Sequence, residues 1–90
     1  MKILYSPQRN DEVMDYAFIG EKIIVVYKGQ TDTFDFTTMP DGKLESCETT
    51  LEINPIISGE RINGELQIKL LYWYGINATE EEKFPTWKVI

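Results

Sequence analysis

Cys47 is the one side chain in this sequence with the chemistry of a strong nucleophile, and it is the single cysteine. A cysteine nucleophile reacts as the thiolate, which a neighbouring histidine or cation stabilises. The chain contains no histidine, and the nearby Glu45 and Glu48 are anions that raise the pKa of a thiol. We therefore predict a packed structural thiol at position 47, with no catalytic residue and no intramolecular disulfide.

Two groups of carboxylates are spaced closely enough to act together. Asp32 and Asp35 form the first group, and Glu45, Glu48 and Glu52 form the second. Paired carboxylates serve as acid and base, and clustered ones bind calcium. Neither group has the order of an EF-hand or of another diagnostic motif. We interpret them as solvent-facing charges that keep a sheet soluble, and the sequence predicts no metal site and no cofactor.

The densest run of aromatic residues is Leu71-Tyr-Trp-Tyr74. Such rings stack against nucleotide bases where cations lie beside them, but Lys69 is the one cation close by in the sequence. Packing in the core or in a protein interface is therefore the preferred interpretation.

The composition limits the classes of partner. Nine Lys and Arg against fifteen Asp and Glu give a formal charge of −6, which opposes binding to nucleic acid and to anionic membranes. With 90 residues, the chain is predicted to form one domain over residues 1–90. No apolar run resembles a signal peptide or a membrane span. We expect synthesis and residence in a reducing cytoplasm, which is compatible with later assembly into an extracellular particle.

Turn signals organise the chain into hairpins. Gly20-Glu21 predicts a turn that pairs Phe18 with Ile23, and a type II′ turn at Gly29-Gln30 pairs Val25 with Phe34 and Ile23 with Phe36. Asn63-Gly64 predicts a second hairpin, in which the paired residues are Arg61 with Leu66, Gly59 with Ile68, and Ile57 with Leu70.

Two segments are less regular. Apolar and polar residues alternate from Cys47 to Ile53, which favours a half-buried strand within residues 43–53, with a helix as the alternative. Thr79 begins a capping box for a short helical turn that ends before Pro85. After that turn, Trp87 is expected to pack against the sheet.

These elements predict a mainly β fold of six to eight short strands with one short C-terminal helical turn. The strands form a small antiparallel sandwich or a partly open barrel. Eight apolar residues on the inner faces are the predicted core: Phe18, Ile23, Val25, Phe34, Phe36, Leu66, Ile68 and Leu70.

Five segments of the chain are informative when they are taken together: Lys2-Ile-Leu-Tyr-Ser-Pro7, Thr33-Phe-Asp-Phe36, Met39-Pro-Asp-Gly42, Asn54-Pro-Ile-Ile57 and Ala78-Thr-Glu-Glu-Glu-Lys-Phe-Pro-Thr-Trp87. In these segments the chain resembles a group of short proteins encoded by prophages and siphophages of Gram-positive bacteria. The resemblance implies a phage structural or accessory protein, with association with a virion if the protein is phage-encoded. It implies no activity and no site residues.

The functional hypothesis is a non-enzymatic module for protein interaction or assembly, through a protein partner or self-association. Ile56, Leu71, Trp73 and Trp87 are the predicted interface, because they add apolar surface outside the inner faces. Two alternatives stay open. One is an acidic inhibitor that mimics nucleic acid, and the other is a small hydrolase that uses carboxylates.

Overall fold

The computed structural model describes residues 1–45, 47–75 and 85–90, and eight strands lie within these ranges. The strands are β1 (Lys2–Arg9), β2 (Met14–Ile19), β3 (Lys22–Tyr27), β4 (Gln30–Asp35), β5 (Gly42–Lys43), β6 (Ile56–Ile62), β7 (Glu65–Tyr74) and β8 (Lys88–Val89).

The strands form two sheets that share one core. The larger sheet has the order β5-β6-β7-β1-β8, in which β1 runs parallel to β7 and the other pairs are antiparallel. The smaller sheet is the antiparallel meander β2-β3-β4. The prediction of a mainly β fold is confirmed, and the described strands do not close into a barrel. The helical turn predicted after Thr79 lies outside the described residues.

The first turn of the meander is the one that the sequence predicts. Ile19 pairs with Lys22, so that Phe18 lies opposite Ile23 and Tyr16 opposite Val25. Gly20 has a φ of +58°, which is the left-handed conformation that the first position of a type II′ turn requires.

The second turn of the meander corrects the predicted register. The turn residues are Lys28 and Gly29 rather than Gly29 and Gln30, and their φ angles of 49° and 75° are those of a type I′ turn. Ile23 consequently pairs with Phe34 instead of Phe36. Type I′ and type II′ turns both match the twist of the flanking strands, and Gly29 here takes the second position, where type I′ turns prefer glycine.

This shift of two residues leaves the same side chains facing inward, because side chains alternate with period two. Phe34 and Phe36 are both 5% exposed, as the predicted core requires. Phe36 lies beyond the end of β4, and its N–H donates to the carbonyl of Glu21 (3.1 Å).

The Asn63-Gly64 hairpin is confirmed as far as the middle of its strands. Arg61 pairs with Leu66 and Gly59 with Ile68. The predicted pair of Ile57 with Leu70 is wrong, because an irregularity between Ile56 and Ser58 shifts the register. Ile56 therefore lies opposite Leu70, and Ile57 is 48% exposed.

The strand predicted within residues 43–53 is wrong beyond its first residue, since β5 ends at Lys43. The described part of this segment is a loop held by side chains. The Asp32 carboxylate accepts hydrogen bonds from the Thr49 hydroxyl (2.7 Å) and from the Thr50 N–H (3.1 Å). These long-range side-chain bonds take the place of a strand ladder. The predicted alternation still appears in the burial, because Leu51 is 6% exposed while Glu52 is exposed.

The core lies between the two sheets. Seven of the eight predicted core residues are buried, and Phe18 is half-buried at the margin. Residues that the prediction omitted complete the core: Ile3, Tyr27, Leu51 and Ile56. Ile3 enters through the parallel pairing of β1 with β7, where it lies opposite Ile68.

Arg61 ties the two sheets together at one end, in an arrangement that we call the Arg61 clamp. Its guanidinium donates two hydrogen bonds to the carboxylate of Glu21 (2.9 and 3.0 Å). The other donors reach the carbonyls of Met39 (2.7 Å), Phe36 (2.7 Å) and Gly64 (2.9 Å). The side chain of Arg61 is 10% exposed, so each N–H of this fork finds an acceptor inside the protein.

We predict that Phe34→Ala lowers the free energy of unfolding by about 3–5 kcal/mol, because it removes a buried ring from the shared core. Thr33→Ala on the exposed face of the same strand is the matched control, with an expected cost of about 1 kcal/mol or less. Urea titration of both variants measures these costs. Equal midpoints for Phe34→Ala and the wild type would contradict the core described above.

The Arg61 clamp predicts a dependence of stability on acid. The hydrogen bonds from Arg61 hold the pKa of Glu21 below its usual value. The clamp therefore contributes stability above the unfolded pKa of about 4.3, and this contribution is lost as the pH falls through the lower folded pKa.

Glu21→Gln should accordingly lower the Tm at pH 7 and reduce the further fall of the Tm below pH 4. Asp11→Asn is the control, because it removes a carboxylate from an exposed ion pair with Arg9. Thermal melts between pH 2 and pH 7 measure the effect. An acid dependence in Glu21→Gln as steep as that of the wild type would count against the clamp.

Candidate binding site at the edge of the three-stranded sheet

Cys47 lies in the loop after β5 and is half-buried. Burial, with a smaller contribution from the charge of Asp32, raises the pKa of the Cys47 thiol. The thiol form is therefore favoured over the reactive thiolate.

The carboxylates singled out in the sequence hold loops in place. Asp32 anchors the segment at Thr49 and Thr50, and these hydrogen bonds lower its pKa. Asp35 accepts from the hydroxyl (2.6 Å) and the N–H (2.9 Å) of Thr37, which lower the pKa of Asp35. Within residues 1–45, 47–75 and 85–90, no group of three or more Asp, Glu or Cys side chains is arranged to hold a metal ion.

The four residues predicted to form an interface are not brought together on the surface. Ile56 and Leu71 are buried, at 8% and 5% exposure. Trp73 is half-buried, with its ring edge-on to that of Tyr27 at a centroid distance of 5.3 Å. Trp87 is 43% exposed and directly precedes β8, which is separated from β7 by β1. An interface role for these residues stays a prediction.

The feature best suited to binding is the outer edge of β2. This strand is at the margin of the three-stranded sheet and pairs with β3 on one side. Because Ile19 and Lys22 flank a two-residue turn, Ile19 and Ala17 direct their backbone groups at β3. The N–H and C=O groups of Tyr16 and Phe18 therefore point away from the sheet, and no backbone partner for them lies in the described part of the chain.

Beside this edge lies a set of half-buried rings, Tyr5, Tyr16, Phe18 and Tyr72, which we call the aromatic cluster. Ring centroids are 4.9 Å apart for Tyr5 and Tyr72, and 6.1 Å apart for Tyr5 and Tyr16. The ring of Phe18 is nearly parallel to that of Tyr16, with centroids 6.5 Å apart. The cluster thus joins residues of both sheets at the margin of the core.

Tyr16 is the fixed point of the aromatic cluster. Its hydroxyl donates to the carbonyl of Leu71 in the other sheet. Burial raises the pKa of Tyr16 far above its usual value, and the neighbouring Tyr5 adds to the shift. The hydroxyl therefore keeps its proton, and its hydrogen bond to Leu71 holds the ring in one position.

A groove of about 320 Å³ opens at the N-terminal end of β2. It is lined by the segment from Asn10 to Asp15 and by Tyr72, Trp73 and Gly75, and we call it the acidic groove. Of its carboxylates, Asp11 pairs with Arg9 (2.6 Å). Glu12 accepts a hydrogen bond from the Tyr27 hydroxyl (2.5 Å) and lies 3.5 Å from the ammonium of Lys28.

The surface beside β2 is apolar at both ends. Val13 precedes the strand and is 68% exposed, while Ile19 ends it and is 63% exposed. A strand edge with open backbone groups and exposed apolar side chains is a template for another strand. Lys and Pro, which commonly protect such edges, are absent from the sequence of β2.

The sequence contained part of this site. The Gly20-Glu21 turn correctly predicts the pair of Phe18 with Ile23, and Phe18 is among the predicted core residues. The sequence does not predict that Tyr5 and Tyr72 belong to the aromatic cluster. Their position arises from the parallel pairing of β1 with β7, for which the sequence has no local signal.

Comparison with protein-family models, with curated proteins and with solved structures finds no match for this chain. No helix among the described residues has the length and apolar character needed to cross a membrane.

Proposed function

We propose that the protein is a non-enzymatic interaction module that binds an extended segment of a partner protein as an additional strand along β2. The observation that carries this proposal is the pair of outward-facing backbone groups at Tyr16 and Phe18, next to the half-buried aromatic cluster. Strand addition uses such main-chain groups for affinity and adjacent side-chain contacts for specificity.

The aromatic cluster favours apolar side chains on one face of the added strand. Side chains of a strand alternate, so every second residue of the partner would face inward, beside Tyr16 and Phe18. These rings are intermediate in exposure, and covering them with apolar groups removes further surface from water. The remaining side chains of the partner would face outward, beside Ala17 and Ile19.

Charge favours a basic partner segment. Asp15 is on the outer face of β2 and lines the acidic groove, in which the other two carboxylates already pair with basic side chains. A Lys or Arg on the outer face of the added strand would lie beside Asp15, and the rings of Tyr72 and Trp73 would offer it a π surface. A second copy of the chain is a less suitable occupant, because it carries the same net charge of −6.

The resemblance to phage-encoded proteins supports an assembly role. A small module that captures an extended segment of a neighbouring protein is suited to a structural or accessory protein of a phage particle. We propose this setting together with the binding mode.

Titration with a synthetic peptide tests the proposal. The probe is the capped hexapeptide Val-Lys-Val-Thr-Val-Lys, and its partner is the same peptide with Glu in place of both Lys. We expect the basic peptide to shift the amide NMR signals of Tyr16 and Phe18, and the acidic peptide to bind about three- to tenfold more weakly at low salt. Equal affinity of the two peptides, or unshifted β2 amides, would overturn the proposal.

Two variants with the same change in net charge locate the effect. Asp15→Lys should weaken the binding of the basic peptide by about three- to tenfold, because it reverses a charge beside the outer edge of β2. Glu45→Lys changes an exposed residue of the loop after β5 and should leave binding unchanged. If concentration alone shifts the β2 amides without peptide, the edge is occupied by a second copy, and the assignment to a partner protein fails.

A further inference from the structure

The outer face of the five-stranded sheet carries a second groove, on the side opposite the shared core. Its volume is about 380 Å³, which is in the range of sites for small ligands. Six side chains line it: Lys43, Ser58, Glu60, Gln67, Lys69 and Trp87.

The sheet register places the polar residues of this groove side by side. Lys43, Glu60 and Gln67 form one row across β5, β6 and β7. Ser58 and Lys69 form the next row, two residues further along β6 and β7. The rows therefore present two ammonium groups, one carboxylate, one amide and one hydroxyl to the same space.

The polar side chains of this groove have no hydrogen-bonding or ionic partner among the described residues. Within the described ranges, no hydrogen bond or ion pair joins the side chains of Lys43, Glu60 or Lys69 to the protein. The same holds for those of Ser58 and Gln67. By contrast, the Arg61 clamp and the Asp32 anchor use their polar atoms internally. The donors and acceptors of the groove are thus available to a ligand.

Trp87 supplies the apolar part of the groove. Trp87 is 43% exposed and borders the groove. An indole face is electron-rich and attracts the slightly positive C–H groups of a flat, polar ligand.

We infer that this groove binds a saccharide that carries a carboxylate, such as a uronate-containing oligosaccharide. Sugar hydroxyls both donate and accept hydrogen bonds, so they match a mixed set that contains Glu60, Gln67 and Ser58. The C–H face of the sugar ring lies on Trp87, and its carboxylate lies beside Lys43 or Lys69. A simple phosphate ion could contact the two ammonium groups, but it has no C–H face to lie on Trp87.

NMR titration with digalacturonate tests this inference, with the neutral galactose disaccharide of the same linkage and inorganic phosphate as comparisons. We expect digalacturonate to shift the indole N–H signal of Trp87 and to bind more tightly than either comparison. Binding of phosphate as tight as that of digalacturonate would reduce the groove to an anion site and overturn the inference. So would the absence of any shift with both saccharides.

Variants separate the contributions of the ring and of the charges. Trp87→Ala should weaken the binding of digalacturonate by about tenfold or more, since it removes the aromatic ring on which the sugar lies. Val26→Ala, which truncates an exposed apolar side chain on the three-stranded sheet, should leave binding unchanged.

Lys69→Met should weaken the binding of digalacturonate and leave the binding of the neutral disaccharide unchanged. This variant provides an independent test if Trp87→Ala does not fold. If Lys69→Met weakened the binding of both saccharides equally, the proposed role of the ammonium group would be contradicted. The β2 edge is on the other sheet, so failure of this test leaves the strand-addition proposal standing.

Discussion

The bidentate contact between Arg61 and Glu21 is the polar interaction on which the arrangement of the two sheets depends. Arg61 belongs to the five-stranded sheet, and Glu21 belongs to the turn between β2 and β3. The same guanidinium also holds the carbonyls of Phe36 and Met39, in the segment that leaves β4. A guanidinium with 10% exposure is stable only when its hydrogen bonds are complete. This requirement holds β6, the turn between β2 and β3, and the segment after β4 in fixed positions relative to one another.

The two edges of the smaller sheet differ in how far their outward amides are occupied. At β4, the Asp32 carboxylate accepts from the outward N–H of Thr33 (2.9 Å) and also holds the loop at Thr49 and Thr50. At β2, the contact with the other sheet is made by side chains, through the hydroxyl of Tyr16 and the ring of Tyr5. The β2 backbone therefore keeps its outer hydrogen-bonding groups available, and the proposed binding mode follows from this asymmetry.

Local sequence predicted the features that depend on turn chemistry and alternation. Gly20-Glu21 and Asn63-Gly64 gave correct turns, and Leu51 is buried as its alternation with Glu52 requires. The Lys28-Gly29 turn was misplaced because registers that differ by two residues bury the same side chains. The alternation of side chains therefore predicts which face of a strand is buried, but it does not predict which residue of the neighbouring strand each residue pairs with.

Features that depend on distant segments were beyond the sequence. The acceptors of Arg61 are mainly backbone carbonyls, which any residue provides, so no residue type marks them. The parallel pairing of β1 with β7 joins Tyr5 to Tyr72, and loop closure over such a span leaves no local pattern. For the same reason, local sequence leaves burial and a surface patch both open for Ile56 and Leu71, and the pairing of distant strands buries both residues.

Hydrogen exchange of the β2 backbone amides, measured by NMR on the isolated protein, tests most directly that this edge is open. The account predicts an alternating pattern. The amides of Ala17 and Ile19 exchange slowly because they bond to β3, whereas those of Tyr16 and Phe18 exchange close to the rate of a solvent-exposed amide. Protection of Tyr16 and Phe18 as strong as that of Ala17 would show that the edge is already covered, and it would contradict the account.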